Sequence, residues 1–269
     1  IYQRCCGIDV HKKLIVACLR VGRKEEIRSF GTSTDEICQM ITWLEENRCE
    51  ITAMESTGSF WKPLYNLLEL CGLTTIVANA QHIKNVPGRK TDEKDSQWIA
   101  KLLQHGLLQP SYIPSRDQRE LREISRYRKS LTEERARELN RLQKVLEGGN
   151  IKLSSVVKDI NGTTSRELLE LMLKEGVNET NIDEHLYGSL REKRDELLKA
   201  CKGFLTPLQC RLIRAILDHI DDMTKRIAEI SRIIDDYMHD YEDAVKRLDE
   251  IPGISKQSAQ VVLAEISLD

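Results

Sequence analysis

Asp9, Glu55, Asp92 and Asp95 have the residue types and settings that chemistry on a phosphodiester requires. Asp9 closes the apolar run Cys5-Cys6-Gly7-Ile8, Glu55 follows the strand pattern 49–54, and Asp92 and Asp95 lie three apart in Lys90-Thr91-Asp92-Glu93-Lys94-Asp95. Acids at strand ends and at a helix start can converge on one point. Three or four such carboxylates bind one or two Mg2+ or Mn2+ ions, with water and phosphate oxygens completing the shells. Two ions so held clamp the attacking and leaving oxygens of a phosphoryl transfer. Taken singly, each acid has a plainer explanation: Asp92 as a helix N-cap, Glu55 as a solvated strand end. Their joint placement favours a metal site. His11, Lys12 and Lys13 follow Asp9, and Arg89 and Lys90 precede Asp92. These cations can offset the repulsion among the acids and meet substrate phosphates, with Lys12, Arg89 and Lys90 as the candidate contacts.

The elements that must position these groups read as β-β-β-α-β-α-β-α. Strands are expected over 5–10, 14–21 and 26–30, with Gly22-Arg23-Lys24 turning between the last two. Ser33-Thr34-Asp35-Glu36 places capping residues ahead of Ile37, Met40, Ile41 and Leu44, which marks a helix start. A strand over 49–54, a helix over 60–70, a strand over 74–78 and a helix over 91–105 follow, the last behind the break at Pro87-Gly88. Strand-helix alternation is common to many α/β folds. Three antiparallel strands at the front, the first ending in an acid, narrow it to the ribonuclease-H-like order. In such a sheet the ends of strands one and four are neighbours, so Asp9 and Glu55 face each other. Asp92 and Asp95 share one helix face.

After Pro114 the character changes. Residues 115–147 form a long charged helix pattern with Leu121, Ile124, Leu131, Leu139, Leu142 and Leu146, and Gly148-Gly149-Asn150 ends it. Shorter helices are expected over 151–205. Pro207 opens a second long helix whose apolar positions Leu212, Ile216, Ile220, Met223, Ile227, Ile230, Ile234, Tyr237 and Tyr241 settle into a heptad stripe. The two helices suit an antiparallel coiled-coil hairpin or a seam shared with a second subunit; a purely intramolecular bundle fits equally well. Arg116, Arg119, Arg122, Arg126 and Lys129 recur along the first helix as a stripe that can track phosphates in a salt-dependent way. Interleaved Glu120 and Glu123 are the mark of an ordinary solvated face, but nucleic-acid contact is favoured. Near the end, Leu248-Asp249-Glu250-Ile251-Pro252-Gly253-Ile254-Ser255 resembles a helix-hairpin-helix, whose turn amides at Gly253 would meet a phosphate. Ser255 stands where a second glycine is usual, and a plain Pro-Gly turn fits as well.

Composition sets the outer limits. A chain of 269 residues has room for two cored domains. Its net charge of −2 argues against a simple DNA-coating protein, yet between Lys84 and Lys144 there are 15 Lys and Arg against 9 Asp and Glu. A basic middle of that kind suits a focused nucleic-acid surface. None of the 8 cysteines forms a Cys-x-x-Cys pair, so zinc is not expected and the thiols read as core residues of a reducing cytosol. No membrane span and no signal-peptide layout is expected.

Gly7-Ile8-Asp9-Val10-His11-Lys12, Met54-Glu55-Ser56-Thr57-Gly58-Ser59-Phe60-Trp61 and, most specifically, Pro87-Gly88-Arg89-Lys90-Thr91-Asp92-Glu93-Lys94-Asp95 resemble the DEDD transposases of insertion sequences, the IS one-ten and IS eleven-eleven groups. The resemblance implies a RuvC-like catalytic domain (1–114), a helical coiled-coil domain (115–245) and the start of a helix-hairpin-helix-like C-terminal transposase domain (246–269). It implies Asp9, Glu55, Asp92 and Asp95 as ligands of Mg2+ or Mn2+. It also implies recombination of donor and target DNA guided by a bridge RNA, homodimers or tetramers, and a bacterial cytoplasmic, nucleoid-associated setting. The family's serine nucleophile lies in a Ser-x-Gly-Lys-like motif that does not occur here, so these residues alone are not expected to exchange strands. Three other classes stay open. A RuvC-like Holliday-junction nuclease would free ends rather than rejoin them. An actin-like ATPase is disfavoured by His11-Lys12-Lys13 where small residues are needed. A non-catalytic RNA-binding coiled-coil scaffold would survive Asp9→Ala with its function intact.

Overall fold

Three strands in direct succession open the chain: β1 (Arg4–Val10), β2 (Ile15–Val21) and β3 (Lys24–Phe30). The computed structural model describes residues 1–56, 58–79, 81, 83 and 95–266, and the chain divides into two units, Ile1–Arg116 and Asp117–Asp269. β2 runs antiparallel to β1, and β3 to β2. Val21 pairs with Lys24, which leaves Gly22 and Arg23 as a two-residue turn. Gly22 takes φ +61, a left-handed value that glycine adopts without a Cβ penalty. That tight turn is why β3 begins earlier than the expected Glu26.

Helix α1 (Thr34–Glu46) starts on a capping box. Glu36 N–H donates to Ser33 Oγ, and the Glu36 carboxylate accepts from Ser33 N–H, so two otherwise orphaned amides are satisfied. Then come β4 (Ile51–Glu55), α2 (Trp61–Leu70), β5 (Thr75–Ala78) and α3 (Asp95–Gln104). β4 lies parallel to β1 and β5 parallel to β4, giving a five-stranded sheet in the order β3-β2-β1-β4-β5. This is the ribonuclease-H-like order. The expected start of α3 at Thr91 and the break at Pro87-Gly88 lie outside the described residues.

Alternation along the strands sorts the side chains onto two faces. Cys6, Ile8, Ile15, Ala17, Leu19 and Met54 face α1 and α2, against Ile37, Met40, Leu44, Leu64 and Leu68. Cys5, Ile51, Ala53 and Ala78 lie on the other face, packed against Trp98, Ile99, Leu102 and Leu103 of α3. With both faces covered, the central strands are almost uninterrupted in their hydrophobicity, as parallel strands require.

The second unit is helical. It holds α4 (Arg116–Gly148, from its second residue on), α5 (Leu153–Val156), α6 (Thr163–Lys174), α7 (Arg194–Ala200), α8 (Pro207–Tyr237), α9 (Glu242–Asp249) and α10 (Lys256–Ile266). Thr206 and Gln209 form a second capping box, with Pro207 at the first helical position. α4 and α8 run antiparallel. Leu121 meets Ile234 and Met238 at one end, Arg135 Nη1 donates to Thr224 Oγ1 at 3.2 Å in the middle, and Leu142 and Leu146 share a core with Ile213, Ile216 and Leu217 at the other end. The expected stripe on α8 is corrected at both ends. Leu212 and Tyr237 are 45% and 44% exposed, whereas Ile213 and Leu217 are buried. The first half of α8 also packs on Leu153, Leu168, Leu169 and Leu197 of the short helices, so its buried arc is wider than a heptad seam and rotated away from it.

Candidate active site

Ile8 of β1 pairs with Met54 of β4, so Asp9 and Glu55 come next on adjoining parallel strands. Both have the parity of the face that α3 covers, since Cys5 and Ile51 of those strands lie in the α3 core. α3 begins at Asp95. Its placement depends on Gly7, two residues before Asp9. A Cβ there would overlap Ser96 O and Ala100 N and stand 2.7 Å from Ala100 Cα. Only a residue without a side chain lets the first turns of α3 lie this close to β1. Three acids thus reach one corner of the sheet from β1, β4 and α3.

The charges are felt. Burial pushes the Asp9 carboxyl above its ordinary value, nearby His11 pulls it down, and the negative charges of Asp95 and then Glu55 push it up again; the net shift is upward. His11 Nε2 lies 2.9 Å from Asp9 Oδ2, a hydrogen bond in which the imidazole N–H donates to the carboxylate. The donor chemistry fits a hard divalent cation: oxygen ligands only, and a half-buried carboxylate whose ionisation a neighbouring positive charge would favour. Among the described residues, no group of three or more His, Cys, Asp or Glu side chains is gathered tightly enough to hold an ion as placed. Asp92, Arg89 and Lys90 lie outside the described residues.

Lys12 is exposed in the loop between β1 and β2, where its carbonyl accepts from Thr32 Oγ1 at 3.2 Å. The basic stripe on α4 is divided. Arg122 Nε donates to Ala264 O at 3.2 Å and its Nη2 to Glu265 O at 2.7 Å. Arg126 grips the Glu265 carboxylate with two bonds of 2.7 and 2.8 Å. These two arginines therefore serve the last turn of α10, whose carbonyls have no intrahelical donors. Arg116 and Lys129 are exposed and Arg119 is half-buried. Gly253 sits at φ +90 in the turn between α9 and α10, with open space around it. In the same turn Ser258 N–H donates to Ser255 Oγ at 3.3 Å, so one amide of that helix start is already taken.

Two residues outside the expected site set shape this corner: Gly7, through its lack of a side chain, and His11, through Asp9. His11 had a signal in the sequence. Positions two apart on a strand share a face, which puts it beside Asp9.

A sheet of this order, with acids ending its two central parallel strands, defines an α/β domain of the ribonuclease-H-like class. The chain belongs to the IS110 DEDD transposase family, whose model, described as a transposase, matches residues 6–151. Among solved structures it is similar to T. thermophilus RuvC in complex with a Holliday junction substrate, at 12% identity over 41% of this chain and 100% of that one, with a TM-score of 0.30. No curated protein matches. Among the described residues, no helix is long and apolar enough to cross a membrane.

Proposed function

We propose that Asp9, Glu55, Asp92 and Asp95 hold Mg2+ or Mn2+ and that this chain cuts and transfers DNA strands as the metal-dependent core of a transposase. The observation that carries this reading is the convergence of Asp9, Glu55 and Asp95 from β1, β4 and α3. A bound divalent cation supplies Lewis-acid stabilisation of the attacking and leaving oxygens of a phosphodiester. The chain's own part is to fix the geometry. β1 and β4 hold two acids at neighbouring strand ends, α3 holds a third, and Lys12 at the hairpin loop meets a substrate phosphate. Arg89 and Lys90 are proposed to do the same from the segment before Asp92, and Arg119 and Lys129 to contact nucleic acid from α4.

The fuller activity, exchange of donor and target strands under a bridge RNA in a homo-oligomer, is supported by the three segments that resemble the family. The serine nucleophile is proposed to come from outside these residues, because no Ser-x-Gly-Lys motif occurs among them. The test is nicking of supercoiled or branched DNA in Mg2+ or Mn2+. Asp9→Asn and Asp95→Asn should each lower the rate by more than the roughly 10–100-fold that loss of a mere outer partner of a metal ligand costs, with folding retained. Wild-type rates in either variant would sink the metal reading. Strand exchange by residues 1–269 alone with guide RNA would overturn the external serine.

A further inference from the structure

We propose that His11 is a positioning residue for Asp9: its imidazole N–H holds one carboxylate oxygen so that the other is presented to the metal. The inference rests on the carboxylate site proposed above. His11 Nε2 is 2.9 Å from Asp9 Oδ2, while the ring is 62% and the Asp9 side chain 21% exposed. The contact is built by the backbone rather than by a wandering side chain. Val10 pairs with Ile15 at the end of the β1–β2 ladder, and His11 N–H donates to Leu14 O at 2.8 Å across the loop. Thr32 Oγ1 ties the next residue down through Lys12 O. His11 is thus fixed two positions beyond Asp9 on the same side of the strand direction, with its ring turned back onto the carboxylate.

An Asp side chain has two rotatable bonds, and a ligand left to turn must be ordered by the ion it binds. A donor on Oδ2 sets the plane of the carboxylate beforehand and leaves Oδ1 free to coordinate, which is how outer hydrogen bonds orient metal ligands generally. The same bond occupies Nε2, the ring nitrogen that lies on the carboxylate side. His11 therefore acts through Asp9 and not as a further cation on substrate phosphate, the part that its place beside Lys12 and Lys13 suggests.

The experiment is direct Mn2+ titration of the protein, with free Mn2+ read by its electron paramagnetic resonance signal. His11→Ala should weaken Mn2+ binding about 10-fold, the lower range for loss of an outer partner. His11→Gln, whose terminal amide reaches as far as Nε2, should restore most of that affinity. His11→Asn, with a shorter reach, should not. Circular dichroism checks that each variant is folded. His11→Ala binding Mn2+ like the wild type overturns the proposal, and so does His11→Gln binding as weakly as His11→Ala. Asp9→Ala separates this from the underlying reading: loss of Mn2+ binding upholds the carboxylate site whatever His11 does. Undiminished binding in Asp9→Ala, or no saturable binding in the wild type, overturns both.

Discussion

Gly7→Ala should disable the first unit out of proportion to the size of a methyl group. The added carbon would overlap Ser96 O and Ala100 N and lie 2.7 Å from Ala100 Cα. All three are backbone atoms, so no rotamer change relieves the clash and α3 must move as a body. Overpacking of a tight core costs about 1–3 kcal/mol, and a backbone clash belongs at the top of that range. Alanine recovers roughly 0.5–1 kcal/mol because it loses less freedom than glycine on entering a strand. The net loss is about 2 kcal/mol. For a unit of this size that is a fall in Tm of roughly 8 °C, at about 4 °C per kcal/mol. All 3 tryptophans of the chain, Trp43, Trp61 and Trp98, lie in the first unit, so their fluorescence follows its unfolding selectively. Because the displaced helix carries Asp95, DNA nicking should also drop well below the melting range. A Gly7→Ala protein that melts within about 1 °C of the wild type, a few tenths of a kcal/mol by the same scaling, and nicks normally would show that α3 does not depend on this close approach.

Three further perturbations probe the second unit. Arg128 is buried, and its Nη1 donates to Gln260 Oε1 at 2.8 Å. Arg128→Ala should cost about 1–3 kcal/mol, because it leaves the buried Gln260 amide oxygen without its donor. The loss should be visible in far-UV circular dichroism, with tryptophan fluorescence unchanged as the control. Asp235 accepts from Lys256 Nζ at 2.9 Å and from Gln260 Nε2 at 2.6 Å. Burial raises its pKa, but these two donors and Arg128 lower it by more, so the folded value is depressed. A depressed carboxylate stabilises fully above its unfolded pKa of about 3.9 and loses that contribution as pH falls through the folded value. Urea melts between about pH 5 and pH 3 should therefore show a shallower loss for Asp235→Asn than for the wild type, and equal slopes would remove the claim. Arg126 and Glu265 are exposed enough that their double-mutant cycle should give only about 0.5–1 kcal/mol. A coupling near zero would mean the bidentate contact is not formed in solution.

Much of the fold was legible because it is written in local patterns. The capping residue Ser33 starts α1, Pro207 opens α8, and Asn150 at φ +57 with Gly149 closes α4. The sheet order followed from three strands in succession and an acid at the end of the first. What was not legible depends on where a second body sits. Leu212 and Ile213 are equally apolar, and only the short helices packed beside α8 decide that Ile213 is buried. Arg122 and Arg126 looked like a phosphate-tracking face because periodicity cannot show that the carbonyl end of α10 lies opposite them. Gly7 read as part of a motif, and its reason is a helix some ninety residues later in the chain.

The grip of α4 on α10 also bears on how the chain is made. Gln118 Nε2 donates to Leu263 O, joining residues 145 apart. At a synthesis rate of about 5–20 residues per second, α4 waits roughly 7–30 s on the ribosome's schedule before α10 exists to meet it. Once α8 has followed, and until α10 is made, Leu121, Ile234 and Met238 form an uncovered apolar end of the helical hairpin. A nascent or stalled chain exposes that apolar end, and completion of α10 closes it.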